Sequence, residues 1–184
     1  LILNQMDSLM LNALMNTAAV GYYGNAWGFA NFLFILFQAL NNIWCAYFFE
    51  DMKTGGRESL LEKSRNFLEV FTILACGFML LAPEVYHVYA PKEFWVATMV
   101  IPLFTAAYYV NFLCTFPVNF EYYHKRPKAV AVITVSSSLM NLVLNFLFIK
   151  AIGMAGAAVA TLLSHCLQLL LHHFYSKRLG DYPF

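Results

Sequence analysis

Residues 129–175 read AVAVITVSSSLMNLVLNFLFIK, then AIG, then MAGAAVATLLSHCLQLLLHHFY, and this stretch decides the fold. It predicts two membrane-spanning helices joined by a tight, Gly-rich turn. At ~100° per residue, Thr134, Ser138, Asn141 and Asn145 fall on one narrow face of the first helix. Polar side chains are costly in hydrocarbon, so this face is expected to look inward, toward a partner helix or a wet cavity. Gly153 at the turn and Gly156, Ala157 and Ala160 in the second helix are small residues at spacings that let two backbones approach closely.

Composition points the same way. Hydrophobic residues make up 61% of the 184 and charged ones 11%, against roughly 25% charged in soluble domains. That much apolar surface needs lipid, so the class is an all-α polytopic membrane protein. A net charge of +1 argues against a nucleic-acid partner. Cys45, Cys76, Cys114 and Cys166 are scattered through apolar runs without CxxC or Cys/His zinc spacing. They read as buried small hydrophobes, with a disulfide as the other reading and no metal set in sight. The chain starts at Leu1 inside an apolar run with no signal-peptide pattern, and reads as a piece of something longer.

Six hydrophobic segments follow, approximately 1–20, 26–49, 65–83, 94–120, 129–149 and 154–175. Pro102 and Pro117 predict a kink or break in the fourth. Nine of the eleven Lys and Arg sit in alternate connections: Lys53, Arg57, Lys63 and Arg65, then Lys125, Arg126 and Lys128, then Lys177 and Arg178. Only Lys92 and Lys150 fall on the other side. The positive-inside rule puts the nine, and both ends of the chain, in the cytoplasm.

Polar stripes recur beyond the opening stretch. Segment one has Asn4, Ser8, Asn12 and Asn16 at successive i+4 positions, flanked by Gln5 and Asp7. Segment two has Asn31, Gln38 and Asn42, segment six has Thr161, His165, Gln168 and His172, and segment four is looser with Thr98, Thr105, Tyr109 and Asn119. Segment three has almost none and reads as lipid-facing or packing. Interhelical hydrogen bonds of about 0.6 kcal/mol each would account for some stripes, and a shared aqueous cavity for all of them. Tyr22, Tyr23, Trp27, Tyr86, Tyr89, Trp95, Tyr122 and Tyr123 read as an interfacial belt, with sugar stacking as the other use. Nothing gathers into an enzyme's acid, base, nucleophile or metal set, so an enzyme is not expected. His172-His173 reads as an interfacial anchor and His165 as a hydrogen-bonded bundle residue or a proton relay. Glu121 is placed at a membrane rim. Asp7 is the sole carboxylate in a stripe, open to a role in ion coupling, in gating or in a structural bond.

Asp7, Leu9, Leu11 and the run Val20-Gly-Tyr-Tyr-Gly-Asn-Ala26, followed more than a hundred residues later by Asn141, Asn145, Ile149, Gly153, Gly156-Ala-Ala158, Ala160-Thr161 and Ser164, resemble the polysaccharide-transport family of Wzx-type flippases. That family lies within the multidrug/oligosaccharidyl-lipid/polysaccharide exporter superfamily. The resemblance covers nearly the whole chain and implies the C-terminal six-helix lobe of a two-lobe transporter, its N-terminal lobe absent here. It implies a polyprenyl-pyrophosphate-linked oligosaccharide as cargo, moved by alternating access across a bacterial or archaeal cytoplasmic membrane for surface polysaccharide. Glycan polymerase machinery is an implied neighbour. No cofactor is expected, with a proton or sodium ion as the coupling ion. On this reading Asp7, Asn12, Asn31, Gln38, Asn42, Ser138, Asn141, Asn145, His165 and Gln168 line the substrate cavity. A pyrophosphate favours cations, yet none stands at mid-membrane depth. Either the other lobe supplies them, or Arg57, Arg65, Lys125 and Arg126 make first contact at the cytoplasmic mouth. The rivals are a drug/cation antiporter of the same superfamily, a membrane-embedded glycan polymerase or acyltransferase, and a non-transporting scaffold.

Overall fold

A computed structural model describes residues 6–184. Its helices are α1 (Met6–Leu14), α2 (Thr17–Thr54), α3 (Arg57–Tyr89), a 3-10 helix (Lys92–Val100) running into α4 (Ile101–Tyr123), α5 (Pro127–Ile152) and α6 (Met154–Arg178). Five candidate membrane spans result: α2, α3, the 3-10 helix with α4, α5, and α6. Of the predicted first segment, the described part is the nine-residue α1, too short to cross a bilayer by itself. Asn4 and Gln5 lie outside the described residues. The chain is an all-helical polytopic membrane protein.

The exposed faces explain the composition. Val88, Leu80 and Ile73 of α3 are 90%, 76% and 72% exposed, an apolar surface suited to lipid. The interior between α2, α3 and α4 is aromatic: Phe71 lies 4.3 Å from Phe112, and Trp44 stacks on Phe67 at 5.1 Å. Tyr23 and Tyr86, expected in the interfacial belt, are buried instead, and the Tyr86 hydroxyl donates to Asn25 Oδ1 at 2.8 Å. All four cysteines are free, but only Cys114 is buried, and Cys76 is exposed.

Segment boundaries shift for local reasons. The turn expected near Gly21–Asn25 is helical, and the chain breaks instead at Met15–Asn16. Asn16 is extended (φ −169°, ψ 170°) and its side chain accepts from the Ala19 amide at 2.8 Å, a helix N-cap. A capping side chain at Asn16 thus outweighs the turn propensity of the Gly and Asn cluster. Segment three extends to 57–89 and contains Pro83, and His87 lies in its last turn rather than in a loop. The break expected at the prolines is the 3-10 to α junction at Pro102, while Pro117 sits within an uninterrupted α4.

Alternate ends of the bundle are stapled differently. At one end Tyr123 donates to the Met52 carbonyl at 3.0 Å, joining the ends of α2 and α4. Near the α2–α3 turn, buried Asp51 accepts from Ser59 at 3.1 Å and from Lys63 at 2.9 Å at both oxygens. The nine cations cluster at this end. At the other, Met15 packs against Gly153, which turns α5 into α6 with φ 64° and ψ −140°. Lys63 is partly exposed, so solvent screens its pair with Asp51. Asp51→Asn keeps the Ser59 bond and is expected to cost about 1 kcal/mol. A double-mutant cycle with Lys63→Met, read by thermal unfolding, should recover that coupling and lose it in high salt.

Candidate functional site

The polar stripes converge between α1, α2, α4, α5 and α6. Asp7 on α1 is the hub. Its Oδ2 accepts from the Tyr23 hydroxyl of α2 at 2.8 Å and the Thr161 hydroxyl of α6 at 3.0 Å, and its Oδ1 accepts from the Asn145 amide of α5 at 2.6 Å. Asn145 is fully buried, and its amide also donates to Asn141 Oδ1 at 3.0 Å, one helical turn back. Helix periodicity makes this possible: Asn141 and Asn145 share a face of α5, and the Gly153 turn brings Thr161 alongside them. Close packing of α5 on α6 depends on Gly156, whose missing Cβ leaves room for the Phe148 carbonyl.

A cavity of about 170 Å³ opens beside this hub. Six of the sequence-predicted residues line it: Asp7, Asn31, Ser138, Asn141, His165 and Gln168. A second cavity of about 550 Å³ continues toward the cation-rich end, past Gln38, Asn41 and Asn119 to Phe49 and Tyr122. The two share Phe34, Asn111 and Gln168 and form one groove. Gln168 donates to Thr134 Oγ1 at 3.5 Å, a long bond that leaves it adaptable.

Asn145 stands behind the lining and holds Asp7. Asn12 and Asn42 are not brought in. Asn12 is exposed and accepts from Thr17 at 3.0 Å across the α1–α2 turn, and Asn42 is exposed on another side of α2 from Asn41. An i+11 step from Asn31 had aligned Asn42 with the stripe, but toward the end of α2 it is Gln38 and Asn41 that keep to the groove. Arg57, Arg65, Lys125 and Arg126 are exposed at the cation-rich end and line neither cavity, and Arg65 sits 3.8 Å from Glu69.

Residues not singled out as cavity candidates matter as much. Trp27, Tyr108, Asn111, Ser137 and Ser164 line the first cavity. On α4, Tyr108 and Asn111 form the groove face, whereas Tyr109 of the predicted stripe turns to Thr72 of α3 at 2.8 Å. Two buried atoms at the groove, Tyr108 Oη and Ser137 Oγ, have no hydrogen-bond partner in the protein, and neither does Asn145 Oδ1 behind it. Buried polar atoms are paired as a rule, so these three stand out within the bundle.

Chemically the groove offers mostly uncharged donors and acceptors with aromatic planes. Asp7 and His165 are its ionisable side chains apart from Tyr and Cys, and no Lys or Arg lines it. Among the described residues, no cluster of three His, Cys, Asp or Glu could hold a metal ion. The pair His172 and Glu121, placed near a membrane edge by the sequence, is fully buried between α4 and α6.

Comparison with known proteins adds one relative. The chain is 22% identical over 174 residues, 92% of its length, to the probable low-salt glycan biosynthesis flippase Agl15 of Haloferax volcanii. It spans 37% of that protein's length. No protein-family model matches, and no solved structure does. The chain is a multi-pass helical membrane protein distantly related to a glycan-biosynthesis flippase.

Proposed function

We propose that this chain forms a lobe of a flippase that moves polyprenyl-pyrophosphate-linked oligosaccharide across the cytoplasmic membrane by alternating access. The observation that carries the reading is the groove: a wall rich in neutral hydrogen-bonding side chains, with Asp7 as its one carboxylate, inside a lipid-exposed bundle. A sugar head group needs many neutral donors and acceptors to replace water while its lipid tail stays in hydrocarbon. Asn, Gln, Ser and Thr supply them, and Trp27 and Tyr108 offer ring faces. The kinship to a glycan-biosynthesis flippase supports the same cargo class. In this reading the cation-rich end faces the cytoplasm, Arg57, Arg65, Lys125 and Arg126 meet the pyrophosphate first, and a second lobe completes the cavity. Asp7, held by residues from three helices, binds the coupling ion or senses closure.

The test is genetic. The complete gene is placed in a strain lacking its oligosaccharide flippase, across a panel of glycan donors, and surface glycan is assayed. Restoration with at least one donor is expected. A membrane-inserted protein that restores none would overturn the assignment. Substituting Leu for Asn141 and Asn145 together is expected to abolish restoration, through loss of Asp7's partner and of groove polarity.

A further inference from the structure

The two parts of the groove differ in size. The cavity beside Asp7, about 170 Å³, is smaller than the ~300–1,000 Å³ of pockets that enclose a drug-sized ligand, and the adjoining cavity of about 550 Å³ falls within that range. The small cavity has room for one saccharide ring, and the larger one for the sugars next to it.

Most hydroxyls lining the small cavity are already committed. Ser138 donates to the Thr134 carbonyl at 2.9 Å and Ser164 to the Ala160 carbonyl at 2.7 Å, each one turn back in its own helix. Thr161 donates to Asp7, whose carboxylate also takes Tyr23 and Asn145. Tyr108 of α4 and Ser137 of α5 are different. They are 9% and 3% exposed, both line the small cavity, and neither hydroxyl oxygen has a hydrogen-bond partner among the described residues.

Building on the flippase reading, we propose that the small cavity is a single-sugar subsite and that Tyr108 and Ser137 determine which sugar it accepts. A hydroxyl either donates or accepts, so each can pair with a ring hydroxyl of a pyranose. A buried hydroxyl without a partner costs free energy, and a sugar that supplies the partner recovers it. A sugar lacking a hydroxyl at that place leaves the residue unpaired and is rejected. Sites that bond a substrate hydroxyl discriminate against the analogue without it by about 10⁴–10⁵. The Tyr108 ring and the half-exposed Trp27 ring give apolar faces to the C–H side of the pyranose. Asn111, three residues beyond Tyr108, lines both cavities and marks where they join. The larger cavity leads to the cation-rich end, the proposed seat of the pyrophosphate, so the small cavity takes the sugar farthest from it.

The test reads a ratio, which does not depend on how much protein accumulates. The complete protein is placed in strains lacking their flippase, with paired donors that differ by one hydroxyl of the terminal sugar, one pair for each ring position. Surface glycan is measured for wild type, Tyr108→Phe, Ser137→Ala and Tyr109→Phe. The first two variants each remove one unpaired hydroxyl and keep most of the side-chain volume. At least one of them is expected to shift the ratio within a pair by about tenfold or more toward the deoxy sugar. Tyr109→Phe, whose hydroxyl meets Thr72 of α3 at 2.8 Å instead of the groove, should keep the wild-type ratios. Donor pairs that differ only in the sugar next to the pyrophosphate should also be unaffected, and a shift confined to those pairs would overturn the proposal. So would an equal shift in Tyr109→Phe. Wild-type ratios in both Tyr108→Phe and Ser137→Ala, or failure of both to accumulate, would make the two hydroxyls structural and overturn the subsite while leaving the flippase reading intact. A wild type that restores no donor overturns the flippase reading itself, and the subsite with it.

Discussion

Asp7→Asn is expected to cut glycan export at least about tenfold, equivalent to about 1.4 kcal/mol on the limiting step, with little loss of folded protein. Asparagine keeps the size of Asp7 and one oxygen to accept hydrogen bonds, so the substitution removes chiefly the charge. Asp7→Leu goes further and removes the acceptor. Two of its three donors then have somewhere to turn: Asn145 keeps Asn141 Oδ1 at 3.0 Å, and Thr161 keeps the Ala157 carbonyl at 3.1 Å. Tyr23 has no second acceptor among its hydrogen bonds and is 3% exposed, so the loss concentrates there. An orphaned buried hydroxyl costs about 1–3 kcal/mol. Asp7→Leu with Tyr23→Phe should therefore recover much of the stability of Asp7→Leu while export stays lost. Surface glycan and membrane abundance are measured side by side. Wild-type export by Asp7→Asn would reduce Asp7 to a structural hydrogen-bond hub.

The sequence made the α5–α6 hairpin legible because its signals were local. An i, i+4 polar stripe, a glycine at the turn and small residues after it need no knowledge of other helices. Asp7 was legible too, since a carboxylate in an apolar run stands out. What could not be read was which face of a long helix meets which neighbour. Tyr23 and Tyr86 look like rim aromatics in one dimension, yet their hydroxyls find Asp7 and Asn25 inside the bundle. Tyr108 and Tyr109 are adjacent and chemically identical, and only the position of α3 decides that Tyr109 bonds Thr72 while Tyr108 faces the groove. His172 and Glu121 were each read against the membrane edge, because their partnership spans 51 residues and exists only once α4 packs on α6. The α1–α2 break was missed through a contest of local signals, in which a capping asparagine outweighed two glycines.

Gly156→Leu is expected to abolish accumulation of folded protein, and even Gly156→Ala should destabilise it by about 1–3 kcal/mol. Elsewhere in a helix, glycine to alanine is a gain of up to about 1 kcal/mol, through backbone entropy. The sign reverses here because of what a Cβ would meet. The Phe148 carbonyl of α5 occupies its place and the Ile149 amide nitrogen lies at 2.8 Å, backbone atoms that no rotamer change can move aside. Relief requires α6 to back away from α5. Thr161 lies five residues further along α6, so the same displacement stretches its 3.0 Å bond to Asp7 and couples packing to the site. Gly77 on α3 is the control, since nothing lies within 4 Å of its Cβ position, and Gly77→Ala should be neutral or stabilising. Thermal unfolding of the purified variants measures both. Equal stability of the Gly156→Ala and Gly77→Ala proteins would mean that α5 and α6 do not pack this closely, and the Asp7 hub would lose its geometric basis.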